Sequence, residues 1–156
     1  MYLYKILSKS GKACNGGKYQ YDLPKNGKPG AWTTRIEQVV RCRFGYHVTS
    51  AVYVDAWGGL QANKRLFVVQ VRGTKGSLLL DDKLVCKQIR LLREIHLNGL
   101  DRRLLRWKYD VAMIGADRRY DLYGRYGYIF RITRARMTRV CAYIERKMGW
   151  TKPRKR

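Results

Sequence analysis

Arg65-Leu66-Phe67-Val68-Val69-Gln70-Val71-Arg72 is the stretch on which the fold turns. It is rich in β-branched residues, and Asn63 and Gly73 bound it. Such residues fit a pleated surface, so the run is read as a strand. Upstream, Leu3-Tyr4-Lys5-Ile6-Leu7 alternates at period two and predicts a first strand over residues 2–7. Ser8 to Gly17 is turn-rich, and Tyr19 to Leu23 alternates again. Pro24-Lys25-Asn26-Gly27-Lys28-Pro29-Gly30 then interrupts regular structure. A short extended piece follows around Trp32. Gln38 to Arg43 suits another short strand, with Gly45-Tyr46-His47-Val48 directly after it. Thr49 or Ser50 suits the cap of a short helix through Trp57, ended by Gly58-Gly59.

Downstream the period changes. Leu78-Leu79-Leu80 suits one more short strand, and Asp81 and Asp82 suit a helix N-terminus. Val85, Ile89, Leu92 and His96 then recur at helical spacing, and Asn98-Gly99 reads as a stop. Leu100 to Ala116 predicts a second helix. Tyr128 to Gly149 predicts a third, with Met137, Cys141, Ile144 and Met148 as its apolar stripe. Strands first and helices after predict an α+β fold: a small N-terminal mixed or antiparallel sheet with a short helix, then a C-terminal group of about three helices. The expected division is a mainly β part over 1–80, a helical basic part of the same domain over 81–150, and a basic tail over 151–156.

Charge points to a partner. The 156 residues carry 34 Lys and Arg against 11 Asp and Glu, a formal net charge of +23. Like charge at this density repels itself in a compact domain, and a polyanion offsets the repulsion. The basic residues shift from Lys to Arg along the chain: residues 1–78 hold 5 Arg and 8 Lys, residues 79–156 hold 15 Arg and 6 Lys. Arginine's planar fork matches phosphate, although codon usage alone also exchanges Lys for Arg. At 46% hydrophobic residues there is enough apolar material for a core. No apolar run is long enough for a membrane span, and the N-terminus is too short for a signal peptide. Cys14, Cys42, Cys86 and Cys141 stand far apart, without a C-x-x-C pair, and are read as reduced thiols in a cytoplasmic protein.

The first ninety-odd residues resemble an uncharacterised family of small proteins from bacteriophages and from bacteria carrying prophages. The resemblance rests on Leu3-Tyr4-Lys5, Cys14-Asn15-Gly16-Gly17, Leu23-Pro24, Gly27 to Trp32, Gly45-Tyr46-His47, Phe67 to Gly73, Asp82 to Cys86 and Ile89 to Glu94, in that order. It implies a phage or prophage origin and no particular activity. The Arg-rich segment beyond Gly99 lies outside it.

Three basic stretches are candidate nucleic-acid contacts. Arg136, Arg139, Arg146 and Lys147 lie away from the apolar stripe of the last predicted helix, with Arg131 and Arg134 extending the surface. Such contacts give affinity without base readout, while the plainer reading is a solvated helix face. Arg118, Arg119, Tyr120 and Arg125 belong to an Arg/Tyr/Gly-rich link suited to single strands. The competing reading is a helix connection whose tyrosines pack on the core. Lys152 and Arg154 lie in the basic tail, which orders on a polyanion or simply aids solubility.

A chemical reading is also open. Gly45 to Ser50, with the strand ending at Arg72, resembles the core of ADP-ribosyltransferase-like folds, including RNA 2′-phosphotransferases. That resemblance implies that His47 and Arg72 contact a nucleotide phosphate, but no matching catalytic acid stands in place. A histidine structuring a turn is the plainer account. Isolated cysteines at these spacings predict no metal site, no cofactor motif is present, and oligomeric state is not readable. The expectation is a phage-derived accessory protein binding nucleic acid or a ribonucleoprotein. The alternatives are a protein docking on an acidic host protein or larger assembly, as a host-defence inhibitor or virion component, and the transferase-like enzyme.

Overall fold

A computed structural model describes residues 3–14, 17–40, 43–50, 54, 58–75, 83–106, 139, 142–143 and 146–148. The chain divides into two units, Met1–His96 and Leu97–Arg156.

The first unit is built on four strands: β1 (Leu3–Ser8), β2 (Tyr46–Val48), β3 (Lys64–Lys75) and β4 (Leu84–Ile95). They form one antiparallel sheet in the order β1-β3-β4-β2. The two outer strands meet. Tyr4 N–H donates to the Thr49 carbonyl at 2.8 Å, and Thr49 N–H donates back to the Tyr4 carbonyl at 2.9 Å. Closure of this kind satisfies edge groups that would otherwise invite aggregation. Thr49, expected as a helix cap, is thus used as an extension of β2.

The strand expected over 65–72 is present and longer. Leu66, Phe67, Val68 and Val69 are all buried, so both faces of the sheet are covered there. One core cluster gathers Leu7, Tyr21, Tyr46, Val48, Phe67, Val69, Cys86, Ile89 and Leu91, with Phe67 and Val69 on one side of β3. Register places Tyr4, Ile6, Leu66, Val68 and Ile95 together on the other side. Beyond Val69 the strand alternates, and Gln70 and Arg72 are exposed.

β4 overturns the expected fold class. The segment read as the first of three helices is a strand, and the described structure is mainly antiparallel sheet with two short helices. The helical residues are 99–106 and, further on, 139, 142–143 and 146–148. The four-residue spacing of Val85 and Ile89 fits a strand equally well, because it is also a multiple of two. Two features hid the alternation. Val85 and Cys86 are both buried, and the register slips between Val68 and Val69, leaving Leu92 as an extra residue in a bulge. Pairing along β3 then overrides local helix preference. The expected cap at Asp81-Asp82, the strand at 78–80 and the rest of the helix after Thr49 lie outside the described residues, apart from Ser50 and Val54.

β4's second edge is covered in two parts. β2 pairs with its first residues, Leu84 to Cys86. An extended strap over residues 30–36 continues the cover: the N–H groups of Gly30, Thr33 and Ile36 donate to the carbonyls of Leu91, Ile89 and Lys87 at 2.9, 2.9 and 3.0 Å. Thr33 is buried and its hydroxyl accepts from Ile89 N–H at 3.0 Å. A side chain on Gly30 would run into the Asp22 carbonyl, so only glycine lets the strap approach this closely. The strap carries Trp32 to the sheet.

In the second unit, Asn98 starts a helix where the sequence suggested a stop. Asp101 N–H donates to Asn98 Oδ1 at 2.8 Å, and Asn98 N–H donates back to Asp101 Oδ2 at 3.1 Å. This reciprocal cap opens the helix of residues 99–106.

Candidate nucleic-acid interface

Register builds a basic platform that no contiguous sequence shows. Gln70 pairs with Arg90 and Arg72 with Gln88, so these four side chains share one face of the β3–β4 hairpin. Trp32, delivered by the strap, joins them. The Arg72 guanidinium lies 4.0 Å from the indole centroid and the Arg90 guanidinium 5.0 Å. Arg90 Nε donates to Gln70 Oε1 at 2.8 Å, and Gln88 Nε2 donates to the Thr33 carbonyl at 3.0 Å. Two cations are thus held at one aromatic ring by cation–π attraction.

The described glutamates of this unit go elsewhere. Glu94 forms a forked pair with Arg65, at 2.8 Å to Nε and 2.6 Å to Nη2. The hydrogen bond from Arg65 holds the Glu94 carboxyl below its ordinary range. Glu37 faces Arg35 at 2.8 Å and Lys87 at 3.6 Å. Among the described residues, neither Arg72 nor Arg90 is paired with a carboxylate.

A second feature is a cleft of about 520 Å³ between β1, the loop through residues 13–21 and β2. Lys5 lies in its wall. Its ammonium donates to the His47 carbonyl at 2.8 Å and sits 5.4 Å from the Tyr21 ring centroid. Burial lowers the Lys5 pKa to about 8. Burial, with Lys5 and Lys83 nearby, also lowers the His47 pKa and favours a neutral imidazole.

The Lys5 shift predicts a pH dependence. Between pH 8 and 10.5 the unfolded chain holds a proton that folded Lys5 has released, so this group's destabilisation is full below about pH 8 and fades as pH rises. The Cys86 thiol, pushed up to about 12 by burial, acts oppositely above pH 9. Comparison with Lys5→Met cancels that contribution. Urea midpoints are expected to show wild type gaining on Lys5→Met between pH 7 and 9; a constant difference would place Lys5 in water.

The sequence candidates divide. His47 lines the cleft, whereas Arg72 stacks on Trp32 and is not among the cleft's described lining residues. Arg139 and Arg146 are exposed and helical. Lys147 is partly neutralised within its own unit, 3.4 Å from Asp101, which also accepts from Tyr143 Oη at 2.7 Å. Burial pushes the Asp101 carboxyl up, but hydrogen bonds from Tyr143, Asn98 and Lys147 outweigh it and hold the pKa down. Arg118, Arg119, Tyr120, Arg125, Arg131, Arg134, Arg136, Lys152 and Arg154 lie outside the described residues. Sequence reasoning missed Trp32, Gln70, Gln88 and Arg90. The alternation after Val69 was the available signal, since it puts Gln70 and Arg72 on one side.

Cys14 and Cys86 are free thiols. Among the described residues, no three His, Cys, Asp or Glu side chains are grouped to hold a metal ion, and no helix is long and apolar enough to cross a membrane. No family model, curated protein or solved structure matches the chain.

Proposed function

We propose that this protein binds nucleic acid, mainly through phosphates and with little base specificity. The Gln70–Arg72–Trp32–Gln88–Arg90 platform is one contact surface, and the Arg-rich stretch beyond residue 117 supplies further contacts. The reading is carried by the pair of guanidinium groups at Trp32, held side by side with no carboxylate partner among the described residues, on a chain of charge +23. Arginine forks suit phosphate oxygens in pairs. Glutamine neighbours add donors for sugar and phosphate without cancelling charge.

The double variant Arg72→Ala/Arg90→Ala is expected to lower affinity for DNA or RNA about tenfold in filter binding at moderate salt. Circular dichroism checks that the sheet is retained. Unchanged affinity in a folded double variant would reduce the platform to a clamp for the strap. Retention of an acidic protein after nuclease treatment, with no nucleic acid bound before it, would favour the docking alternative.

A further inference from the structure

We infer that the tyrosine-lined cleft beside Lys5 receives one unpaired nucleotide of a bound strand, which makes single-stranded nucleic acid the preferred ligand. This rests on the phosphate-binding reading above and deepens it with a second site.

Three rings form the aromatic wall. Tyr19 lies 4.9 Å from Tyr21 and 5.3 Å from Tyr46, and Tyr21 lies 6.2 Å from Tyr46, centroid to centroid. All three pairs are edge-to-face, with interplanar angles of 67°, 76° and 69°. Tyr21 and Tyr46 are buried at 4% and 5%, and they fix the position of Tyr19, which remains 38% exposed. Tyr46 is itself anchored by its hydroxyl, which donates to the Thr34 carbonyl at 2.8 Å. A rigid wall with an uncovered outer ring is a stacking surface for a flat ligand.

Charge selects the rest of that ligand. Lys5, Lys18, Arg43 and Lys83 line the cleft, and among the described residues no Asp or Glu does. Lys18 and Arg43 are exposed. A planar group attached to an anion satisfies both halves of the site, and a nucleotide is that combination. The volume of about 520 Å³ lies within the roughly 300–1,000 Å³ typical of small-ligand sites and is too small for a base pair with its backbones. A base inside a duplex cannot reach such a wall without leaving the stack.

The test uses the whole chain and a 12-nucleotide single strand carrying 5-iodouracil, irradiated and mapped by mass spectrometry, beside the same strand in a duplex. Adducts on Tyr19 with the single strand and none with the duplex are expected. Tyr19→Ala, at a partly exposed position, is expected to lower single-strand affinity about tenfold and leave duplex affinity unchanged. Full single-strand affinity in Tyr19→Ala, or adducts only at other residues, would overturn the cleft while leaving phosphate binding intact. Failure of wild type to retain either ligand would overturn both. Free dUMP is expected to compete only at far higher concentration than the strand, because it lacks the contacts outside the cleft. Competition by dUMP as strong as by the strand would make this a small-molecule site and contradict the proposal.

Discussion

Phe67→Ala is expected to destabilise the first unit by about 3–5 kcal/mol, the usual cost of truncating a buried aromatic side chain. Phe67 is 0% exposed in the first half of β3, flanked by Lys5 on β1 and Glu94 on β4. Its ring packs in the core with Leu7, Val69 and Leu91, and the Arg65 guanidinium lies 5.2 Å from its centroid. Removing the ring opens a cavity and also takes the packing from beneath the Arg65–Glu94 pair. Small domains have only about 5–15 kcal/mol of net stability, so the variant is expected to unfold early in urea. Val71→Ala, two residues along the same face and only half buried, is expected to cost about 1 kcal/mol. Equal midpoint shifts for the two variants would mean that the core does not centre on β3.

The contrast between β3 and β4 shows what the chain discloses locally. β3 was legible because Leu66-Phe67-Val68-Val69 is apolar, partly β-branched and bounded by turn residues. β1 was legible from its alternation; β2 was not, since the short strand was expected over residues 38–43 and lies at Tyr46–Val48. β4 was not, since its buried positions cover both faces near Val85 and Cys86, and the bulge at Leu92 breaks the phase. What makes it a strand is β3 beside it, and that partner is a matter of tertiary pairing.

The candidate site was less legible for the same reason. Arg72 and Arg90 become neighbours only through register, and Trp32 reaches them only because Gly30 lets the strap lie close to Asp22. A count of charges raised the expectation of a polyanionic partner but could not aim any of the cations. It also did not show that Lys147, a candidate contact, lies 3.4 Å from the Asp101 carboxylate of its own unit.

Surplus arginine and lysine that lack internal carboxylates lower their energy most by displacing counterions from a phosphate backbone, and salt opposes that exchange. With about six to ten phosphates contacted, affinity is expected to fall on the order of a thousandfold or more between 50 and 200 mM salt. Arg72→Ala/Arg90→Ala should flatten the slope by about two contacts' worth. The deciding measurement is therefore the slope of log affinity against log salt for a single-stranded oligonucleotide, wild type beside the double variant. A steep negative slope that becomes shallower in the variant is the expected result, and an affinity indifferent to salt would contradict the account.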